Sequence, residues 1–166
     1  MSEGQGGSAA VLDATREKPE GRVPALDLDE YAPFLLNAVS LAWTRQIAGV
    51  FKDRFAMGVV EWRVVAVLSA QPGIAASQIC ELLRMDKSAI SRSLHLLAER
   101  GYLDHEAPTG DMRRREWRLS DRGQVLFEDL LVVALETETR MLQGVSEEER
   151  LAFLDVMRRF LGNLEG

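Results

Sequence analysis

At 166 residues the chain has the length of one domain, or of one compact unit with a tail. Its 46% hydrophobic content is enough for a core, and 20 Lys+Arg against 26 Asp+Glu give a formal net charge of −6. A single cysteine, Cys80, excludes an intrachain disulfide framework and a multi-cysteine zinc site, and no run approaches the ~18 apolar residues of a membrane span.

The acidic total hides an uneven distribution. Residues 1–57 carry −2, residues 58–122 carry +1, and residues 123–166 carry −5. Exposed charges are screened beyond ~8 Å in physiological salt, so local clusters matter more to a phosphate than the total does. Acidity elsewhere limits non-specific binding to nucleic acid without forbidding it.

Residues 1–28 combine Gly, Ser, Pro, Glu and Lys with few large apolar groups, which predicts a flexible tail. Their start lacks the basic and apolar stretches of a signal peptide, so a cytoplasmic protein with no membrane partner is expected. From Tyr31, apolar residues recur at spacings of three and four: Leu35, Ala38, Val39, Ala42 and Ala48. Trp43, Ile47, Val50, Phe51 and Phe55 widen that face, as in a helix that packs against more than one element. A second helix is predicted over about 60–70, ended by Pro72 and Gly73.

Two short helices follow. "AASQICELLR" puts Ile79, Leu82 and Leu83 on one face. "DKSAISRSLHLLAERG" opens at Asp86, a suitable N-cap, and closes at Gly101, suited to the left-handed position past a helix end. Within it Ile90, Leu94 and Leu97 form an apolar line, while Ser88, Ser91, Arg92 and His95 form a polar line opposite. "YLDHEA" and "REWRLS" read as two strands joined through "PTGDMR" into a hairpin. Ser120 then caps a long helix to about Gln143, and Gly144 stops it. Ser146 and Glu149 form a capping box for a last helix with a stripe of Leu151, Leu154, Met157, Leu161 and Leu164.

The fold class expected is therefore mainly α with a small β-hairpin wing. It is a winged helix-turn-helix over residues 58–122, between terminal helices at 29–57 and 123–166. A helix-turn-helix reads duplex DNA by laying its second helix in the major groove. Lys87, Ser88, Ser91, Arg92 and His95 suit that face, since an arginine can pair bidentately with guanine and a serine tolerates several partners. By itself the run Arg113–Arg115 is a solvated hairpin surface. Beside such a helix it becomes a wing for phosphates or a narrow minor groove.

"MDKSAISRSLHLLAERGYL" and "GDMRRREWRLSDRG" resemble the recognition helix and wing of the multiple-antibiotic-resistance regulator (MarR) family. Family wings carry Asp-x-Arg, then a small and a basic residue. Asp111, Arg113 and Arg115 match, while Arg114 replaces the small one. Arg84 stands in the turn where the family commonly has glycine. The resemblance implies that Asp111 orients the wing and that Arg113 contacts DNA. It implies a homodimer built by the terminal helices, which reads a pseudo-palindrome. It also implies a pocket for small aromatic or phenolic anions, bordered by the helices that carry Trp43, Arg45 and Trp62. Core packing accounts as well for both tryptophans, and Arg45 can either hold a carboxylate or face water.

Ser91 and His95 lie four apart, but no third group or oxyanion donor accompanies them, so no enzyme and no cofactor are expected. Cys80 reads as a small hydrophobe rather than a sensor of oxidants. A winged helix used for protein contacts without DNA is the alternative from another functional class.

Overall fold

The computed structural model describes residues 25–106 and 115–166. The predicted tail lies outside them for residues 1–24, as does the turn of the hairpin, with Asp111, Arg113 and Arg114. The elements in chain order are α1 (Ala32–Phe55), α2 (Val59–Ala70), β1 (Ile74–Ala75), α3 (Ala76–Leu83), α4 (Lys87–Glu99), β2 (Leu103–Glu106), β3 (Glu116–Leu119), α5 (Asp121–Met141) and α6 (Glu147–Glu165). None of the described helices is long and apolar enough to cross a membrane.

The chain divides into two compact units at Asn37 and Ala38. In the first, a turn at 28–30 leads into the start of α1, where Phe34 and Leu35 are exposed. The second holds one core, formed by Ile47 and Phe51 of α1, Val64, Val65 and Leu68 of α2, Ile79 of α3, Ile90, Leu94 and Leu97 of α4, and Leu126, Leu130 and Val133 of α5. Leu103 and Trp117 of the strands close it. Helix α2 is apolar on most of its surface because it packs against α3, α4, α5 and β3 together.

Local chemistry sets most helix ends. The Asp86 carboxylate accepts from the Ala89 amide at the start of α4, and the Ser120 hydroxyl accepts from the Gly123 amide at the start of α5. At α6, Ser146 and Glu149 complete their box, the Glu149 carboxylate accepting from the Ser146 amide at 2.8 Å. Helices α3 and α4 end alike. Arg84 and Met85 donate to Glu81 and Cys80, and Gly101 and Tyr102 donate to Ala98 and Leu97. That closure needs a left-handed residue, and Gly101 (φ 74°) supplies it freely. Arg84 (φ 51°) adopts the same conformation with a side chain, which explains why a glycine suits this turn.

The sheet departs from the two-stranded hairpin expected. Its order is β1-β3-β2, all antiparallel, with Ile74 opposite Trp117 and His105 also opposite Trp117. The two residues of β1 lack any alternation that would mark them as a strand; pairing with β3 makes them one.

Candidate nucleic-acid interface

Helix α4 turns Ile90, Leu94 and Leu97 into the core and leaves Lys87, Ser88, Ser91, Arg92 and His95 exposed. The five residues named from sequence thus share one solvent-facing surface that begins at the helix N-terminus. Two of them have partners within the helix. The Ser88 hydroxyl donates to Asp86, and His95 Nε2 lies 3.2 Å from the Glu99 carboxylate. The Ser88 hydroxyl and then the Ala89 amide hold the Asp86 carboxyl below its ordinary range, so the cap stays ionised. Lys87, Ser91 and Arg92 face outward on the first turns, where a groove-bound helix presents its contacts.

Sequence reasoning passed over Ser93. It is buried on the core side of α4, and its hydroxyl has no hydrogen-bond partner among the described residues. Its place one residue before Leu94 is legible in the helical period, but a serine there carries no signal of burial.

The wing is less basic than its arginine run suggests. Leu103 and Trp117 are buried, while Asp104, Glu106, Glu116 and Arg118 are exposed. Arg118 pairs with Glu106 across the strands, and that carboxylate raises its already high pKa. The described strands therefore present three carboxylates and one paired guanidinium, and the arginine run at 113–115 lies between them in sequence. Of these only Arg115 is described: it is half-buried, with its guanidinium 6.0 Å from the centre of the Trp117 ring. The edge of His105 meets the same ring at 5.1 Å. At the foot of the wing, Arg122 lies over Tyr102 at 4.9 Å, a further basic group that the motif did not single out. Period-two alternation in "REWRLS" separates Trp117 from Glu116 and Arg118. The cross-strand partner of Arg118 is not readable from it.

The candidates for a ligand pocket separate. Trp62 stacks on Phe127 at 6.2 Å and tilts against Phe51 at 5.5 Å, a packing role. Trp43 lines a cavity of about 240 Å³ with Val39, Ala42, Gln46, Arg140 and Met141. Arg45 is exposed and is not among its walls; the arginine that is, Arg140, comes from the end of α5. Cys80 is half-buried against the core, as a small hydrophobe would be.

A family model described as MarR family matches residues 57–114. The HTH-type transcriptional regulator PecS of Dickeya dadantii is 29% identical over 133 residues, which cover 78% of this chain and 77% of PecS. A MarR-family transcriptional regulator from Silicibacter pomeroyi has a similar structure, with a TM-score of 0.74 at 26% identity over 82% of this chain and 92% of its own. MepR of S. aureus, solved as a DNA complex, matches with a TM-score of 0.70 at 19% identity, covering 82% of this chain and 98% of that one. A helix-turn-helix with a polar outer face, a three-stranded wing and these likenesses agree: residues 57–114 match the MarR family, and the fold is similar to that of MarR-family transcriptional regulators.

Proposed function

We propose that the protein is a homodimeric repressor that binds a pseudo-palindromic operator and is released from it by a small aromatic or phenolic anion. The observation that carries the DNA reading is the two-faced α4, with Ile90, Leu94 and Leu97 buried and Lys87, Ser91, Arg92 and His95 exposed on the opposite face. In this reading Arg92 and the serines meet base edges. Lys87 and the wing arginines Arg113, Arg114 and Arg115 hold phosphates, with Asp111 orienting the wing. MepR, whose structure is a DNA complex, supports the reading through the shared fold.

The dimer rests on the terminal helices. Helix α6 has no buried residue, and Leu151, Phe153, Phe160, Leu161 and Leu164 on it are exposed. Val39 and Leu41 of α1 are exposed as well. A second copy covering these faces would take these apolar side chains out of water. The effector reading rests on the cavity beside Trp43. Its apolar and aromatic walls suit a ring, and Arg140 and Gln46 suit a carboxylate or phenolate. To release DNA, such a ligand has to prefer the geometry that does not bind it, since equal affinity for both shifts nothing.

Gel-shift titration on duplex DNA from upstream of the protein's own gene, repeated with a panel of aromatic acids, tests this reading. Arg113→Ala should weaken binding to all sequences and lower the salt slope by about one. Arg92→Ala should relax discrimination at one position of each half-site. No shifted band with the parent protein, together with a stable heteromeric partner in solution, would replace this function with that of a protein-interaction module.

A further inference from the structure

The two ends of α4 are held differently. Its leading end, at Lys87 and Ser88, is exposed. Its trailing end is tied on two sides. The Ser120 hydroxyl at the start of α5 donates to the Gly101 carbonyl at 2.8 Å. On the other side Arg100 sends its Nη1 to the Ala56 carbonyl, also at 2.8 Å, across 44 residues of sequence.

Ala56 is the single residue between α1 and the buried Met57, and it stands in the left-handed region at φ 52°. An L side chain disfavours that conformation, so the junction keeps it only where its surroundings impose it. Three groups do so here. The Ala56 amide donates to Lys52, the Met57 amide donates to Phe51, and Arg100 takes the Ala56 carbonyl. Just beyond, the Glu61 carboxylate accepts from the Gly58 amide and starts α2.

We infer that Arg100 is a positioning residue for DNA reading: a strut that locks the trailing end of α4 to the α1–α2 junction, so that a change in the direction of α1 moves the reading helix. The inference rests on the DNA-binding function proposed above and extends it to how the reader is set. A guanidinium suits the task because its planar fork presents rigid donors to a carbonyl. Arg100 needs no contact with DNA for this role. That separates it from the wing arginines, whose effect must appear in the salt dependence.

The test uses the full chain with Arg100→Ala and Arg100→Lys, titrated against the upstream duplex at several salt concentrations. Backbone amide exchange is followed at Ala56 and Met57. Loss of a charge-assisted hydrogen bond predicts binding weaker by about tenfold in Arg100→Ala at an unchanged salt slope. It also predicts faster exchange at both amides, with recovery of affinity and protection in Arg100→Lys, whose ammonium can donate to the same carbonyl. A salt slope reduced by about one would make Arg100 a phosphate contact and overturn the inference. Affinity and exchange equal to the parent's would overturn it too. If the parent binds no duplex, the proposed function fails, and amide exchange alone decides the strut: faster exchange in Arg100→Ala upholds it, unchanged exchange removes it. Should Arg100→Ala lose its helical signal, Arg100→Lys and Arg100→Gln carry the same comparison, with the lysine variant expected to be the better protected.

Discussion

Helices α4 and α6 both carry an apolar stripe at helical spacing, and they meet opposite fates. The stripe of α4 is buried to the last few per cent at Ile90, Leu94 and Leu97, whereas α6, longer by six residues, buries none. Amphipathicity tells which face of a helix wants cover. It does not tell whether the cover comes from the same chain. In the winged-helix lobe α2, α3 and β2 supply it. At α6 the stripe of Leu151, Leu161 and Leu164 remains open, with Glu147, Glu148 and Glu149 at its head. The lobe that reads DNA in the proposed function finds its cover within the chain, part of it from α1 and α5, and the exposed faces of α6 and the start of α1 are those for which a second copy is proposed.

Matched truncations test this contrast most strongly. Leu97→Ala should cost about 3 kcal/mol in denaturant unfolding, from lost burial and the cavity left behind. The same change at Leu161 should cost less than about 0.5 kcal/mol at protein concentrations where the chain is monomeric. Its effect should grow with concentration wherever a dimer forms. Equal losses at every concentration would abolish the distinction between the two regions.

The packing of the lobe can be probed from the opposite direction, by adding an atom. A Cβ at Gly123 would stand 2.0 Å from the Tyr102 carbonyl oxygen, at the place where α5 passes the foot of the wing. Gly123→Ala should therefore destabilise by about 2 kcal/mol, read from the urea midpoint, and separate α5 from β2. A midpoint equal to the parent's would mean that the foot of the wing is looser than its contacts indicate.

Acid should loosen the leading ends of both helices. The Ser88 hydroxyl and the Ala89 amide lower the Asp86 carboxyl at α4. At α6 the Ser146 amide and hydroxyl lower Glu149, and Arg150 lowers Glu147. Each pKa is lower folded than unfolded, so each group stabilises fully above its unfolded value. That contribution disappears as pH falls through the folded value. Stability should thus decline through the lower carboxylate range, as circular dichroism can follow. Ser146→Ala should remove about 1 kcal/mol at neutral pH and flatten the part of the decline that belongs to α6.

The smallest effect expected is at Ser93. Its buried hydroxyl has no partner among the described residues, so Ser93→Ala removes a polar group without breaking a bond. The variant should be as stable as the parent or better by up to about 1 kcal/mol in thermal unfolding. A clear loss would reveal a partner for the hydroxyl and a polar seam in the α4 packing.

What the sequence by itself determined is the set of features that depend on neighbours three or four residues apart. Asp86, Ser120 and Ser146 cap helices because their side chains reach amides three positions on. Gly101 and Gly144 end helices because they accept positive φ. The face of α4 that meets water follows from the helical period, and with it the candidate residues Lys87, Ser91 and Arg92. The rest required the chain to be folded, because it joins residues far apart in sequence. Strand β1 exists through its pairing with β3, 43 positions away from Ile74 to Trp117. Arg84, in the turn before α4, pairs with Glu165 in the last turn of α6. Arg45 is exposed, one of the two places its sequence allowed, and Arg140 from the far end of α5 lines the cavity with Trp43. Nothing in the sequence around Arg100 names its partner, and the fold brings it to the carbonyl of Ala56. Local backbone chemistry is written into short stretches of sequence, whereas the partner of a long charged side chain is set by which distant element the core draws up beside it.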